Sequence, residues 1–387
     1  MAELRRAKRH QGRGRRTLLA AALTAAVVAG SAGWAAGSEQ QAVTGPVPGV
    51  SSWRAERGLG RPLPDPATAS PTRIARFFAG LTERQRQTLA ERHALVVGNL
   101  DGAPPELRYA ANSRALREER AKQLARAADP QLPGQDRAAA RARAERYAEL
   151  RAPGRQILAF DPRGRGQVAE VYGDLAAAGH VSVIVPGSDI DLDTFDRTKD
   201  RLGTPAGMAQ SLHAATGHRT AVIAWAGYTT PVGLGPDAAT GRLAEAGAPR
   251  LARLAQGVVA AGGPRPVLFC HSYGSVVCGL AAPETPASDV VVAGSPGMRV
   301  DRAADLGTRA RIWAAKDPGD WIDNVPHVQL LGLGHGADPA DPAFGARRVP
   351  AADADGHTGY FAPGTDSLHA FAEIALGKTC CHRKDAS

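Results

Sequence analysis

The stretch that decides the fold is "VLFCHSYGSVVCGLAA", residues 267–282. Four apolar residues, Val267 to Cys270, run into His271, Ser272, Tyr273 and Gly274, and a helix-like segment follows at once. Strand, sharp turn and helix, with a serine at the turn, is the context of a nucleophile elbow. Such a turn is so tight that only a small residue fits two positions after the serine, and Gly274 supplies it. The helix start then brings the Tyr273 backbone N–H to where an oxyanion would form. Ser295 in "GSPG" is a rival that also ends an apolar run, but no helix pattern follows it, so it reads as a turn.

Further apolar runs lie on either side: "QILAFDP", "VSVIVPG", "TAVIAWAGY", "DVVVAGSPG" and "ARIWAAKDPGD". Each is short, rich in β-branched residues and closed by Gly, Pro, Asp or Ser, as expected of parallel strands buried on both faces. Helical stretches such as "GMAQSLHAAT" and "GRLAEAGAPRLARLAQGVVAAG" separate several of them. Alternation of this kind predicts an α/β fold with a mostly parallel, doubly wound sheet, whose ligands bind at the carboxyl ends of the strands. "TDSLHAFAEIALG" reads as a capped last helix stopped by Gly377.

A serine on such an elbow needs an acid and then a histidine, in that chain order. "IWAAKDPGDWIDNVP" offers Asp317 and Asp320 just past a strand. Asp320, two residues before Ile322, is the preferred acid, and Asp317, opening the turn with Pro318, is the alternative. Among the later histidines, His369 falls inside the last helix and His335 follows the acid too closely. His357 in "DGHTGYF" lies in the loop before the last helix, where the base belongs. A second oxyanion donor is expected from the turn Pro186–Gly187–Ser188. Asp189, Asp191 and Asp193 resemble a calcium loop, but Thr194 stands where its glycine belongs, so they read as loop and cap acids.

The chain has 387 residues and a net charge of +9. Residues 1–16 carry seven Arg or Lys against Glu3, so the rest is nearly neutral and the charge does not signal a nucleic-acid binder. Thr17–Ala36 has no charged residue, and a basic stretch before an apolar run reads as an export signal or membrane anchor, 1–37. "RRTLL" is similar to the twin-arginine type. Residues 38–69, rich in Pro, Gly, Ser and Ala, read as a linker. A helical extension is expected over 70–152, with a capping box at Thr82 and Gln85. Asn112 or Ser113 would open its next helix, with Glu118 and Lys122 four apart, and a further helix spans 136–150. The catalytic domain would span 153–378 and a tail 379–387. Four cysteines suit an oxidising compartment and allow three pairings. Cys270 and Cys278 are expected to pack as small buried hydrophobes, while Cys380 and Cys381 lie in the tail. No Cys/His spacing fits zinc.

"NLDGAPPELRYAANSRAL" (99–116), "LAFDPRGRG", "VIVPGSD", "WAGYTTP", "CHSYGS", "GLGHGADP", "FGARRV" and "GHTGYF" together resemble the DUF1023 family of bacterial α/β-hydrolase proteins. The likeness covers most of the chain after residue 69. The elbow of that family usually reads G-H-S-Y-G, so Ser272, His357 and Asp320 fall at matching positions, and Cys270 is the departure. The expectation is an exported serine hydrolase of esterase or lipase type with the α/β-hydrolase fold, acting on a small acyl substrate without metal or organic cofactor. The membrane would be a partner through the N-terminal segment if that segment is uncleaved. A noncatalytic binding protein on the same fold, or a serine peptidase or amidase, are the alternatives. A reactive phosphonate probe separates the first of these, and amide analogues the second.

Overall fold

The computed structural model describes residues 40–378. The expected export segment 1–37 and the tail with Cys380 and Cys381 lie outside the described residues. Among the described residues, no helix is long and apolar enough to cross a membrane.

An eight-stranded sheet organises the chain: β1 (Gln156–Asp161), β2 (Gln167–Tyr172), β3 (Val181–Val185), β4 (Ala221–Ala226), β5 (Val267–His271), β6 (Asp289–Ala293), β7 (Arg311–Ala315) and β10 (Arg347–Val349). Its spatial order is β1-β2-β4-β3-β5-β6-β7-β10. From β4 to β10 every pairing is parallel, while β2 pairs antiparallel with both β1 and β4. A separate hairpin joins β8 (Gln329–Leu330) to β9 (Leu333–Gly334). The mostly parallel doubly wound sheet expected from the apolar runs is therefore present. Two sheet strands escaped the sequence pattern. β2 carries Gln167 and Glu170, the latter buried and held by Arg155 at 2.8 and 2.6 Å, so its alternation is masked. β10 has only three residues.

Strands β3 to β6 are buried throughout, so alternate side chains feed two cores. On one face Ile184, Val222 and Phe269 meet Phe361 and Phe371; on the other Val183, Ile223 and Leu268 meet Leu251 and Leu254. Each such side chain contributes about 1.5–3 kcal/mol on leaving water. The chain runs from β3 to β4 on one side and then returns to β5 on the other side of β3. The carboxyl ends of β3 and β5 thus flank the topological switch point, where a crevice opens.

Ahead of the sheet, helices Pro71–Ala79, Glu83–Arg92, Ala94–Gly98, Pro105–Ala128 and Gly134–Leu150 cover one edge. The Thr82–Gln85 capping box is present. Asn112 does not open a helix. That helix starts seven residues earlier at Pro105, a residue suited to a first turn. Asn112 lies buried inside it, and its Nδ2 donates to Gly98 O and Ile157 O, both at 3.0 Å, which ties the helices to β1. Glu118 pairs with Arg114, and Lys122 with Glu119.

The linker reading of 38–69 is corrected over its described part. Composition suggested a tether, but Val47, Val50 and Trp53 recur at helical spacing around the short helix Val50–Ala55 and are buried. Trp53 Nε1–H donates to Pro64 O at 2.8 Å, and the segment joins a third core with Ile74, Phe78 and Val97. Three apolar side chains are enough to dock a segment that its Pro and Gly content marks as loose.

Candidate active site

Ser272 follows β5 directly and has φ +55°, a left-handed conformation costly for a residue with a Cβ. Its N–H donates to Ala293 O on β6, and the helix Gly274–Ala281 begins two residues later. The turn leaves no room for a side chain at Gly274 or Gly187. A Cβ on Gly274 would lie 2.4 Å from Val185 O and 2.7 Å from Pro186 O, backbone atoms at the end of β3 and the start of the loop after it. A Cβ on Gly187 would lie 2.6 Å from Ser272 Cβ and 2.9 Å from its Oγ. The turn after β3 thus presses directly on the serine, and the same point lies 3.2 Å from Tyr273 N. Gly187 therefore sits beside the amide of Tyr273, the residue that caps the helix, whose N–H has no partner within the helix.

Cys270 and Cys278 are bonded to each other, which overturns the expectation that they pack as free thiols. Cys270 points to the core face that the following helix covers, and Cys278 lies one position into the second half of that helix. Two cysteines facing each other across so short a connection meet as a cross-link. The residue that departs from the usual elbow glycine therefore staples the strand to its helix.

The other two groups arrive from later loops. Asp320 follows β7 and is buried; its Oδ1 accepts the Ile322 N–H at 2.9 Å. His357 Nδ1 lies 2.8 and 3.0 Å from the two Asp320 oxygens. A carboxylate only accepts, so Nδ1 carries the proton and Nε2 is left to accept from Ser272 Oγ at 2.9 Å. Burial pushes the Asp320 carboxyl up, but hydrogen bonds from His357, Tyr360 and the Ile322 amide outweigh it and hold the group below its ordinary value. Ser272 and His357 are half-buried, which leaves the pair open to a ligand.

Asp317, the alternative acid, has another position. Its Oδ2 accepts the Gly356 N–H at 2.7 Å, fixing the loop that carries His357. His335 donates from Nε2 to Ala238 O at 2.7 Å and packs against Tyr273, and burial drives its pKa down to about 4. His369 is exposed on the last helix. Ser295 Oγ accepts the Gly297 N–H in a turn. Asp191 accepts the Asp193 and Thr194 amides and pairs with Arg165, as a loop and cap acid does.

Three supporting residues escaped the sequence reading. Tyr360 donates to Asp320 Oδ2 at 2.6 Å and accepts the Asp317 N–H at 3.0 Å. His271 donates from Nε2 to the His357 carbonyl at 2.6 Å; burial drives its pKa down to about 3, so it stays neutral. Gly294, with φ +56°, leaves room for the pair, since a Cβ there would lie 2.8 Å from Asp320 Oδ2 and 3.0 Å from His357 Nδ1. Only their closeness in sequence to Ser272, Ser295 and His357 hinted at such roles.

Comparison with known proteins agrees with this architecture. A family profile described as Alpha/beta hydrolase matches residues 161–330, a stretch that holds Ser272 and Asp320. The uncharacterized protein Rv2079 of Mycobacterium tuberculosis is 29% identical over 382 residues, 81% of this chain and 57% of its own length. The chain thus spans little more than half of that relative. The uncharacterized protein Mb0988c of Mycobacterium bovis is 32% identical over 185 residues, 42% of this chain and 68% of its own. A crystal structure of the 2,6-dihydroxy-pseudo-oxynicotine hydrolase aligns over 86% of this chain and 95% of its own, at 12% identity and a TM-score of 0.34. That last likeness is too loose to bear on the site. By its matched profile, its relatives and the order of its sheet, the chain belongs to the alpha/beta hydrolase family.

Proposed function

We propose that the chain is an exported serine hydrolase that cleaves a carboxylic ester through an acyl-enzyme. The observation that carries this reading is the unbroken line of hydrogen bonds from Asp320 through His357 to a serine on a strained elbow. Ser272 Oγ attacks the acyl carbon while His357 Nε2 takes its proton, and Asp320 holds and stabilises the imidazolium. The developing oxyanion is met by the Tyr273 N–H and by the amides of Gly187 and Ser188. His357 returns the proton to the departing alcohol. Water, deprotonated in turn by His357, then releases the acid and restores the serine.

Two features support export. The basic start and the uncharged run Thr17–Ala36 suit a signal or anchor, and the Cys270–Cys278 bond suits an oxidising compartment. A reporter active only after export, fused behind residues 1–60, gives signal if this is right; signal from a cytoplasm-only reporter overturns it.

The chemical reading is tested with Ser272→Ala. The parent labels with a fluorophosphonate and hydrolyses p-nitrophenyl butyrate, and the variant does neither while keeping the circular dichroism of the parent. The expected loss exceeds about 10⁴-fold, because the nucleophile is the least replaceable member of such a set. Hydrolysis retained by the variant removes Ser272 from the mechanism.

A further inference from the structure

Nine large apolar side chains are exposed among the described residues, and seven of them lie in two loops at the carboxyl ends of the strands. Val232 and Leu234, 56% and 72% exposed, belong to the loop after β4. Val328, Leu330, Leu331 and Leu333 belong to the β8–β9 hairpin in the loop after β7, and Leu331 is 94% exposed. Trp321 opens that same loop. Apolar side chains scattered singly need no explanation, but a cluster this confined marks an interaction surface.

Both loops are strapped to the reacting groups. The Asp189 N–H donates to Pro231 O at 2.8 Å and Asp189 Oδ1 accepts the Gly233 N–H at 2.8 Å, which binds the first loop to the segment after Gly187 and Ser188. Leu333 bridges to Thr240, whose carbonyl accepts the Tyr273 hydroxyl at 2.7 Å. The Trp321 ring lies 4.4 Å from that of His357. The apolar cluster therefore lies on the loops that surround Ser272 and His357. Neither the stretch 227–235 nor 328–334 contains a charged residue.

The chain itself indicates what lies over this rim. Gln40 is fixed to the loop after β4: its N–H donates to Asp237 Oδ2 at 2.9 Å and its side chain donates to Thr230 O at 3.1 Å. Val43 N–H donates to Thr229 Oγ1 at 3.0 Å. The uncharged sequence Thr17–Ala36 ends four residues before that anchor. The run read as an export signal or anchor thus stands, in sequence, next to the residues fixed at the loop that bears Val232 and Leu234.

We infer that the rim seats on a lipid bilayer and that the ester cleaved at Ser272 is the acyl ester of a membrane lipid. This rests on the serine-hydrolase reading. A rim of Leu and Val sinks into the boundary between headgroups and acyl chains, the depth at which a lipid ester lies. The reaction consumes one water and releases a fatty acid and the deacylated lipid.

The test uses the full chain and two substrates: p-nitrophenyl butyrate in solution, and a diacylglycerol carried in vesicles of dioleoyl phosphatidylcholine and dioleoyl phosphatidylglycerol. Leu330→Ser/Leu331→Ser is expected to lower oleate release from vesicles by about tenfold or more, with butyrate hydrolysis within about twofold of the parent. Leu330→Phe/Leu331→Phe, apolar again, is expected to restore vesicle activity. If the parent hydrolyses butyrate but releases no oleate, the lipid inference falls and the hydrolase reading stands. Failure of the parent on butyrate, with no probe labelling, takes both down. Equal loss on both substrates makes the hairpin part of the site or the fold, and overturns the inference. So does a parent dimer that the serine variant turns to monomer, because the rim would then cover a second copy.

Discussion

The serine is set mainly by its neighbours in sequence, with Ala293 and Gly187 closing on it from two adjacent strands, and the histidine by residues far apart along the chain. Ser272 is set by β5 before it, the helix Gly274–Ala281 after it and the Cys270–Cys278 bond that joins them. His357 is set by Asp320, Asp317 and His271, drawn from two strand ends, and by Tyr360 in its own loop. A local device tolerates the loss of one part because the rest of the turn still specifies it. A device assembled over long loops depends on each hydrogen bond for the position of one ring. The residues that support the serine and those that support the histidine should therefore answer mutation differently, the first in stability and the second in turnover.

Among the residues that support the nucleophile, the largest expected effect lies on the histidine side and decides between the two acids. Asp320→Asn is expected to lower kcat for p-nitrophenyl butyrate about 10⁴-fold, the loss this change causes in a serine protease, through the wrong imidazole tautomer. Asp317→Asn weakens only the grip on the Gly356 amide and is expected to cost roughly tenfold through misplacement of the ring. A greater loss at Asp317 would reverse the roles. Steady-state kinetics on both purified variants gives the answer.

The serine side is probed by the disulfide. Its loop spans a sequence separation of eight residues, and closing a loop of that size removes unfolded-state entropy worth about 2.5 kcal/mol. Cys270→Ser/Cys278→Ser is expected to lower Tm by about 5 °C while kcat stays within about threefold of the parent. The turn keeps its other restraints, namely the Ser272 N–H on Ala293 O and the close approach of Gly187 and Gly274 to their neighbours. A collapse of kcat without loss of stability would show that the bond positions the nucleophile, and the contrast between the two sides would fail.

The same division explains what could be read from the sequence. The strands from β3 to β7 announced themselves because both of their faces are buried, and the elbow because strand, serine, glycine and helix follow one another without interruption. Chain order and the loop before the last helix then singled out His357. Order alone could not separate Asp317 from Asp320, since both follow β7 closely and only the fold shows which one faces the ring. The cross-link stayed hidden because spacing does not reveal that a strand residue and a helix residue face each other. The docked segment with Trp53 stayed hidden because its Pro and Gly content outweighs three apolar residues.

A far smaller effect than at Asp320 is expected at Tyr360, and it is the sharpest check on the histidine side. The hydroxyl has two partners: it donates to Asp320 Oδ2 and accepts the Asp317 N–H. Burial and the neighbouring Asp320 carboxylate both raise its pKa, so it remains a donor at any working pH. Tyr360→Phe removes one of the bonds that hold the Asp320 carboxyl low. A hydrogen bond to a charged group contributes about 1.5–3 kcal/mol, but His357 and the Ile322 amide remain on the same carboxylate, so the loss in kcat is expected to be roughly tenfold. With fewer donors the carboxylate holds its charge less well and its pKa rises. Stability that Asp320 supplies is present above its unfolded pKa and lost as pH falls through the folded one. In Tyr360→Phe that loss begins at higher pH. The measurement is kcat and Tm across pH for parent and variant, with KM for the small ester unchanged. A variant with parent kcat and an unshifted acid limb would show that the hydroxyl merely fills space, and that Asp320 is placed by its own loop.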